Sequence, residues 1–259
     1  MCRGVEGLCV YLEHARSQHS QYCNTQKVKK GKLYLIPTTL GDEALHTIPS
    51  YVVEKIQHIE TYIAERAKTA RRFLKAAGIG KPLNTITVHE LDKHNPINYI
   101  SEYLEAALSG DDIGLLSEAG CPGVADPGAE VVALAHRKGI EVVPLVGPSS
   151  ILLALMASGM NGQSFTFHGY LPPKTPERVR ALRKLEQAAP RTTSIFIETP
   201  YRNQQMIETA LKTLRPQTRF CIAADLTLDT EYIVTKTIAD WAKTKIPNLH
   251  KRPAIFLIG

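Results

Sequence analysis

The chain has 259 residues, 44% hydrophobic and 22% charged, a balance that excludes wholesale disorder, collagen-like repetition and coiled coil. Its net charge of +6 is unevenly spread. Residues 1–31 hold Arg3, Arg16, Lys27, Lys29 and Lys30 against Glu6 and Glu13, half of the excess, so any nucleic-acid footprint on the rest of the chain has to be local.

Residues 1–31 lack periodicity and read as an N-terminal appendage. Cys9, His14, His19 and Cys23 lack the paired spacing of a zinc site, and no metal is expected. The other cysteines are Cys2, Cys121 and Cys221. An odd number at irregular spacing reads as reduced thiols of a cytoplasmic protein, not a disulfide framework. Regular patterning begins with a strand at Lys32–Pro37 and a polar turn at Thr38–Asp42. A helix at Ser50–Gln57 and a strand at Ile59–Ala64 come next. Helix Glu65–Ala77 places Ala67, Ala70, Phe73, Leu74 and Ala77 on one face and stops at Gly78. Then come strand Thr85–Val88, helix Pro96–Leu108 and strand Asp112–Ser117. A helix is capped by Asp126 with Pro127 at its first position and runs to Lys138. Strand Ile140–Val146 is followed by an apolar helix, Ser150–Ser158, with Ser149 as its cap. Strands alternating with helices predict a parallel sheet with right-handed crossovers.

Val142–Pro173 carries no Asp, Glu, Lys or Arg, but Pro144, Gly147 and Pro148 interrupt it and its pure apolar run is too short to span a bilayer. It reads as a buried segment, and no membrane partner is expected. After the turn-rich Gly159–Gln163 the pattern restarts with strand Ser164–Leu171, helix Pro176–Gln187, strand Thr193–Glu198 and helix Asn203–Leu214. Strands Thr218–Ala224, Glu231–Lys236 and Ala254–Ile258 complete it. Two consecutive strands predict a mixed sheet. The expected architecture is α/β in two domains. A first domain over 32–160 holds a parallel five-stranded sheet, and a second over 161–259 is α+β.

Three loops at predicted strand ends stand out. Ser117-Glu-Ala-Gly-Cys-Pro-Gly-Val-Ala-Asp-Pro-Gly128 is far longer than a strand-to-helix connection needs, and its glycines admit close backbone approach to a ligand. Val146-Gly-Pro-Ser-Ser150 sets hydroxyls and free amides at a helix start, where an anion is stabilised. Pro37-Thr-Thr-Leu-Gly-Asp42 is the third. None is a dinucleotide or P-loop fingerprint. Lys68, Arg71, Arg72 and Lys75 share one helical stripe, and Lys174, Arg178, Arg180, Arg183 and Lys184 form a second basic patch. Each reads either as a phosphate grip or as a solvated face. His89-Glu90, expected just past a strand end, offers a base or merely closes a loop. Glu198-Thr-Pro-Tyr-Arg202 ends a strand of the second half.

At these loops the chain resembles the tetrapyrrole methylase superfamily, the class III S-adenosylmethionine-dependent methyltransferases, and within it the branch acting on small-subunit ribosomal RNA. That branch reads Ser-Asp-Ala-Gly-Thr-Pro-Gly-Ile-Ser-Asp-Pro-Gly at 117–128, Pro-Gly-Pro-Ser-Ala at 146–150 and Glu-Ser-Pro-His-Arg at 198–202. The resemblance implies a homodimer binding S-adenosylmethionine between its domains and methylating the 2′-oxygen of a cytidine ribose in 16S rRNA. It implies cofactor contacts from Pro37, Ser117, Glu118, Ala119, Gly120, Cys121, Gly147, Pro148, Ser149, Leu226 and Ala254. Glu65 and His89 are the acid–base candidates, and Lys68, Arg71 and Arg202 the substrate-binding ones. This chain departs from the family's patterns in a shorter 37–42 loop, in Glu118 and over 65–69. Methylation of a small molecule such as a tetrapyrrole, and cofactor binding without turnover, stay as alternatives.

Overall fold

The computed structural model describes residues 29–91 and 101–259. The zinc question at Cys9–Cys23, most of the expected appendage and the first part of the Pro96–Leu108 helix lie outside these residues. The first half alternates strands and helices. Its elements are β1 (Lys32–Ile36), α1 (Ser50–Ile56), β2 (Thr61–Ala64), α2 (Ala67–Ala76), β3 (Thr87–Glu90), α3 (Glu105–Ser109), β4 (Ile113–Leu116), α4 (Ala129–Arg137), β5 (Glu141–Pro144) and α5 (Ser150–Ser158). The second half comprises β6 (Phe165–Tyr170), α6 (Thr175–Ala188), β7 (Thr193–Ile197), α7 (Asn203–Thr213), β8 (Arg219–Ala224), β9 (Tyr232–Thr237), α8 (Ile238–Trp241) and β10 (Ala254–Ile258).

Two five-stranded sheets form, as expected. The first is parallel in the order β3-β2-β4-β1-β5. The second runs β6-β7-β10-β8-β9, with β6 and β7 parallel and the other pairs antiparallel. Burial explains the sequence patterns. β4, at the centre, is buried at every residue, and Gly114 leaves room there for Ile36 and Tyr62 on the neighbouring strands. Val52, Ile56, Phe73 and Leu74 cover one face of this sheet, and Leu104, Ala107, Val131 and Ala135 the other. In the second sheet, Leu182, Met206 and Trp241 pack on Phe196, Phe220 and Phe256, and the Trp241 indole donates to the Phe220 carbonyl at 2.7 Å.

α5 explains the uncharged stretch. Although it follows β5 in the chain, Ile151, Ala154 and Leu155 pack beneath the second sheet on Ile195, Ala223, Ile255 and Leu257. This helix ties the halves together and brings the carboxyl ends of β1, β4 and β5 opposite those of β7 and β8 and the start of β10.

Four details depart from the sequence reading. His89 and Glu90 lie inside β3, not past its end, because pairing with β2 extends to Ala64↔Glu90. Asp126 does not cap α4. That helix starts after Gly128, and Asp126 instead accepts a hydrogen bond from the Glu118 amide at 3.3 Å, closing the long loop on itself. Ser149 stands at the cap of α5, but its hydroxyl makes no capping bond. Arg178, expected in an exposed basic patch, is fully buried.

Candidate active site

The three loops singled out above meet. Thr38 exchanges backbone hydrogen bonds with Gly120 in both directions, at 3.0 and 3.2 Å, and its hydroxyl lies 3.1 Å from that of Ser117. The Ser117 hydroxyl also donates to the Gly120 carbonyl. Gly120 adopts φ +78°, and a Cβ there would press on Leu40 and the Pro148 carbonyl. That carbonyl accepts the Cys121 thiol at 3.5 Å. Gly147 packs so closely on Pro37 that a Cβ would lie 2.3 Å from the proline ring. Burial pushes the Cys121 thiol up from its ordinary pKa, favouring the neutral form there.

Against this wall stands the edge of the second sheet, and between them lies a cavity of about 330 Å³, within the roughly 300–1,000 Å³ usual for small-molecule sites. The first-half wall consists of Leu40, Glu118–Cys121, Val124–Asp126 and the start of α5 at Ser149–Ile151. The opposite wall is mostly apolar, with Phe167, Ile197, Leu226, Leu228, Ala254 and Ile255, and carries Glu198 and Asp225. Asp225 is held by Arg252 at 2.7 Å and Thr230 at 2.8 Å. A smaller cavity of about 220 Å³ shares Leu40, Glu118 and Ala119 with the first. It is otherwise lined by the 38–42 turn and by Thr69, Arg72, Phe73 and Ala76 of α2.

Of the residues expected around a cofactor, Glu118, Ala119, Gly120, Cys121, Ser149, Leu226 and Ala254 line the larger cavity. Pro37, Ser117, Gly147 and Pro148 are absent from its lining and shape its wall from behind through the contacts above. Arg202 lies outside the lining and grips Glu198, which is part of it. Lys68 and Arg71 lie on α2 outside the lining of the smaller cavity. The α2 cation that lines it is Arg72, paired with Asp42 at 3.1 Å. Neither acid–base candidate reaches either cavity. Glu65 follows β2, and His89 lies on the edge strand β3, its ring stacked 4.7 Å from Tyr103 and its pKa lowered by burial. Periodicity places Arg72 on the same stripe as Lys68, Arg71 and Lys75. No sequence signal separated it from its neighbours.

A cleft with glycine-lined backbone on one side and an apolar sheet edge on the other fits a nucleoside carrying a polar amino-acid arm. An unassigned serine hydroxyl and a buried unpaired carboxylate oxygen add to the fit. The profile of the family described as Tetrapyrrole (Corrin/Porphyrin) Methylases matches residues 32–242, and the chain belongs to that family. With this fold and cleft it is a two-domain methyltransferase that takes its methyl group from S-adenosylmethionine. It is 33% identical over 216 residues to Ribosomal RNA small subunit methyltransferase I of Escherichia coli O157:H7, covering 83% of this chain and 71% of that protein. The protein of the same name from Halalkalibacterium halodurans is 30% identical over 227 residues, covering 86% and 75%. Among solved structures, the methyltransferase CobJ superposes with a TM-score of 0.58 at 17% identity, covering 88% of this chain and 94% of that one. Cobalt precorrin-4 methyltransferase, CbiF, does so with 0.57 at 16%, with the same coverage. These two likenesses concern the fold.

Proposed function

We propose that this protein methylates small-subunit ribosomal RNA, at the 2′-oxygen of a cytidine ribose, in the cytoplasm. The observation that carries the reading is the second cavity. It adjoins the cofactor cavity through Leu40, Glu118 and Ala119, and α2 lines it with Thr69, Arg72, Phe73 and Ala76, which places the Arg72 guanidinium at its wall. Similarity over about four-fifths of the chain to enzymes named for small-subunit ribosomal RNA supports the same substrate.

In this reading Glu118, Ala119, Gly120, Cys121 and Ser149 hold the cofactor from one side, and Leu226 and Ala254 from the other. The cofactor supplies an electrophilic methyl group on a sulfonium. The chain's own contribution is to bring an oxygen nucleophile into line with it and to keep water out, the orientation effect that dominates such transfers. Lys68, Arg71 and Arg72 hold backbone phosphates, Arg72 exchanging Asp42 for a phosphate oxygen. Mass spectrometry of ribosomal RNA nucleosides, with and without this protein, tests the proposal. Loss of 2′-O-methylcytidine from small-subunit RNA is expected, and an unchanged nucleoside profile rejects it.

The protein acts as a homodimer in the same proposal. Val146, Leu152 and Met156 are exposed together around the start and outer face of α5, Met156 at 79%. An uncovered apolar surface of this kind favours association. Sedimentation at twice the chain mass is expected, and at the single-chain mass after Met156→Lys. A monomeric wild type overturns it.

A further inference from the structure

Glu198 follows the last residue of β7, and the pairing of Ile197 with Ile255 sets it beside Ala254. Its side chain is wholly buried and it lines the larger cavity. The two carboxylate oxygens are treated differently. Oε1 accepts three hydrogen bonds, from the Thr199 amide at 2.7 Å and from Arg202 Nε at 2.9 Å and Nη2 at 2.6 Å. Oε2 is buried and accepts none among the described residues.

A buried carboxylate oxygen without a donor is costly and is rare in folded proteins. Here the arrangement is built: a forked guanidinium and a backbone amide fix the group through one oxygen and leave the other free. The Asp225 carboxylate, on the same wall, is held by Arg252 and Thr230, through Oδ2 alone among the described residues. The charge of Glu198 is balanced by Arg202, so a second cation is not needed, and a neutral donor suits the free oxygen best.

We propose that Glu198 Oε2 is a receptor for a ribose hydroxyl. The inference rests on the methyltransferase reading, which supplies two riboses, that of the cofactor and that of the acceptor nucleotide. Both offer the same chemistry, a hydroxyl that donates to a fixed carboxylate. Glu198 is then a specificity-determining residue of the cavity, and Arg202 a positioning residue that acts through it.

The test compares wild type with Glu198→Gln and Glu198→Asp, each first checked for a native circular dichroism spectrum. S-adenosylhomocysteine and its 2′-deoxy and 3′-deoxy analogues are titrated calorimetrically into each. Binding of a small-subunit RNA fragment is then measured with S-adenosylhomocysteine present, with and without a 2′-deoxy substitution at the target nucleotide. If the cofactor is the source, both variants weaken S-adenosylhomocysteine about tenfold, and the difference vanishes for one deoxy analogue. If the acceptor is the source, cofactor affinity is unchanged, and the variants lose about tenfold in RNA affinity only when the target hydroxyl is present. Unchanged affinities for both ligands in both variants overturn the proposal and leave the methyltransferase reading intact. Absence of heat with wild type overturns that reading and this inference with it.

Discussion

Replacing Gly147 by alanine is expected to cost about tenfold in affinity for the methyl donor, the equivalent of one lost hydrogen bond at about 1.4 kcal/mol. A Cβ at that position would lie 2.3 Å from Pro37 Cβ and 2.7 Å from its Cγ. The neighbour is a buried ring at the end of β1, so it has no rotamer to yield. Either the loop after β1 or the loop after β5 has to retreat. Retreat of the β5 loop carries Ser149 out of the cavity wall, and with it the Pro148 carbonyl that accepts the Cys121 thiol. Overpacking of this kind also costs about 1–3 kcal/mol of stability. Calorimetric titration and thermal unfolding of the variant check both effects. Wild-type affinity in Gly147→Ala contradicts the placement of these loops.

The second large effect is expected at Arg178. Its side chain is fully buried in α6, with Nη1 donating to the Pro173 carbonyl and Nη2 to Thr175 Oγ1, both at 3.1 Å, and Nε without a partner. Among the described residues no carboxylate lies within 4.0 Å of it. Arg178→Ala removes a large packed side chain and two hydrogen bonds, for a loss of about 2–5 kcal/mol. Arg178→Met keeps most of the volume while removing an unpaired buried charge, and is expected within about 1.5 kcal/mol of wild type. Urea unfolding distinguishes the two. Equal destabilisation by both variants shows that the charge itself is required.

How far the sequence reports the fold depends on how each element buries its side chains. β4 and β1 lie at the centre of the first sheet and read as continuous apolar runs, as strands covered on both faces do. Among the described residues β3 is an edge strand paired only with β2, and its mixed residues make the sequence place it two residues early. The same shift made His89 resemble a loop-borne base, when it is a strand residue packed on Tyr103. Asp126-Pro127 matched a helix start by local chemistry, yet the aspartate serves a bond within the loop, to Glu118, which sequence spacing does not reveal.

The site was legible where backbone constraints write themselves into composition. The glycines and prolines of 117–128 and 146–150 marked two walls that do converge, because Gly120 and Gly147 each sit where a side chain has no space. Residues on the second sheet carried no such mark. Glu198 is set apart by the Arg202 fork on one oxygen, and Arg72 by lining the smaller cavity where Lys68 and Arg71 do not. Both distinctions are products of tertiary packing.

The most direct measurement is a crystal structure of the protein with S-adenosylhomocysteine. The nucleoside is expected between Glu118–Cys121 and Ser149 on one side and Leu226 and Ala254 on the other. Density for the ligand at any other place on the molecule, or none at saturating concentration, contradicts the account.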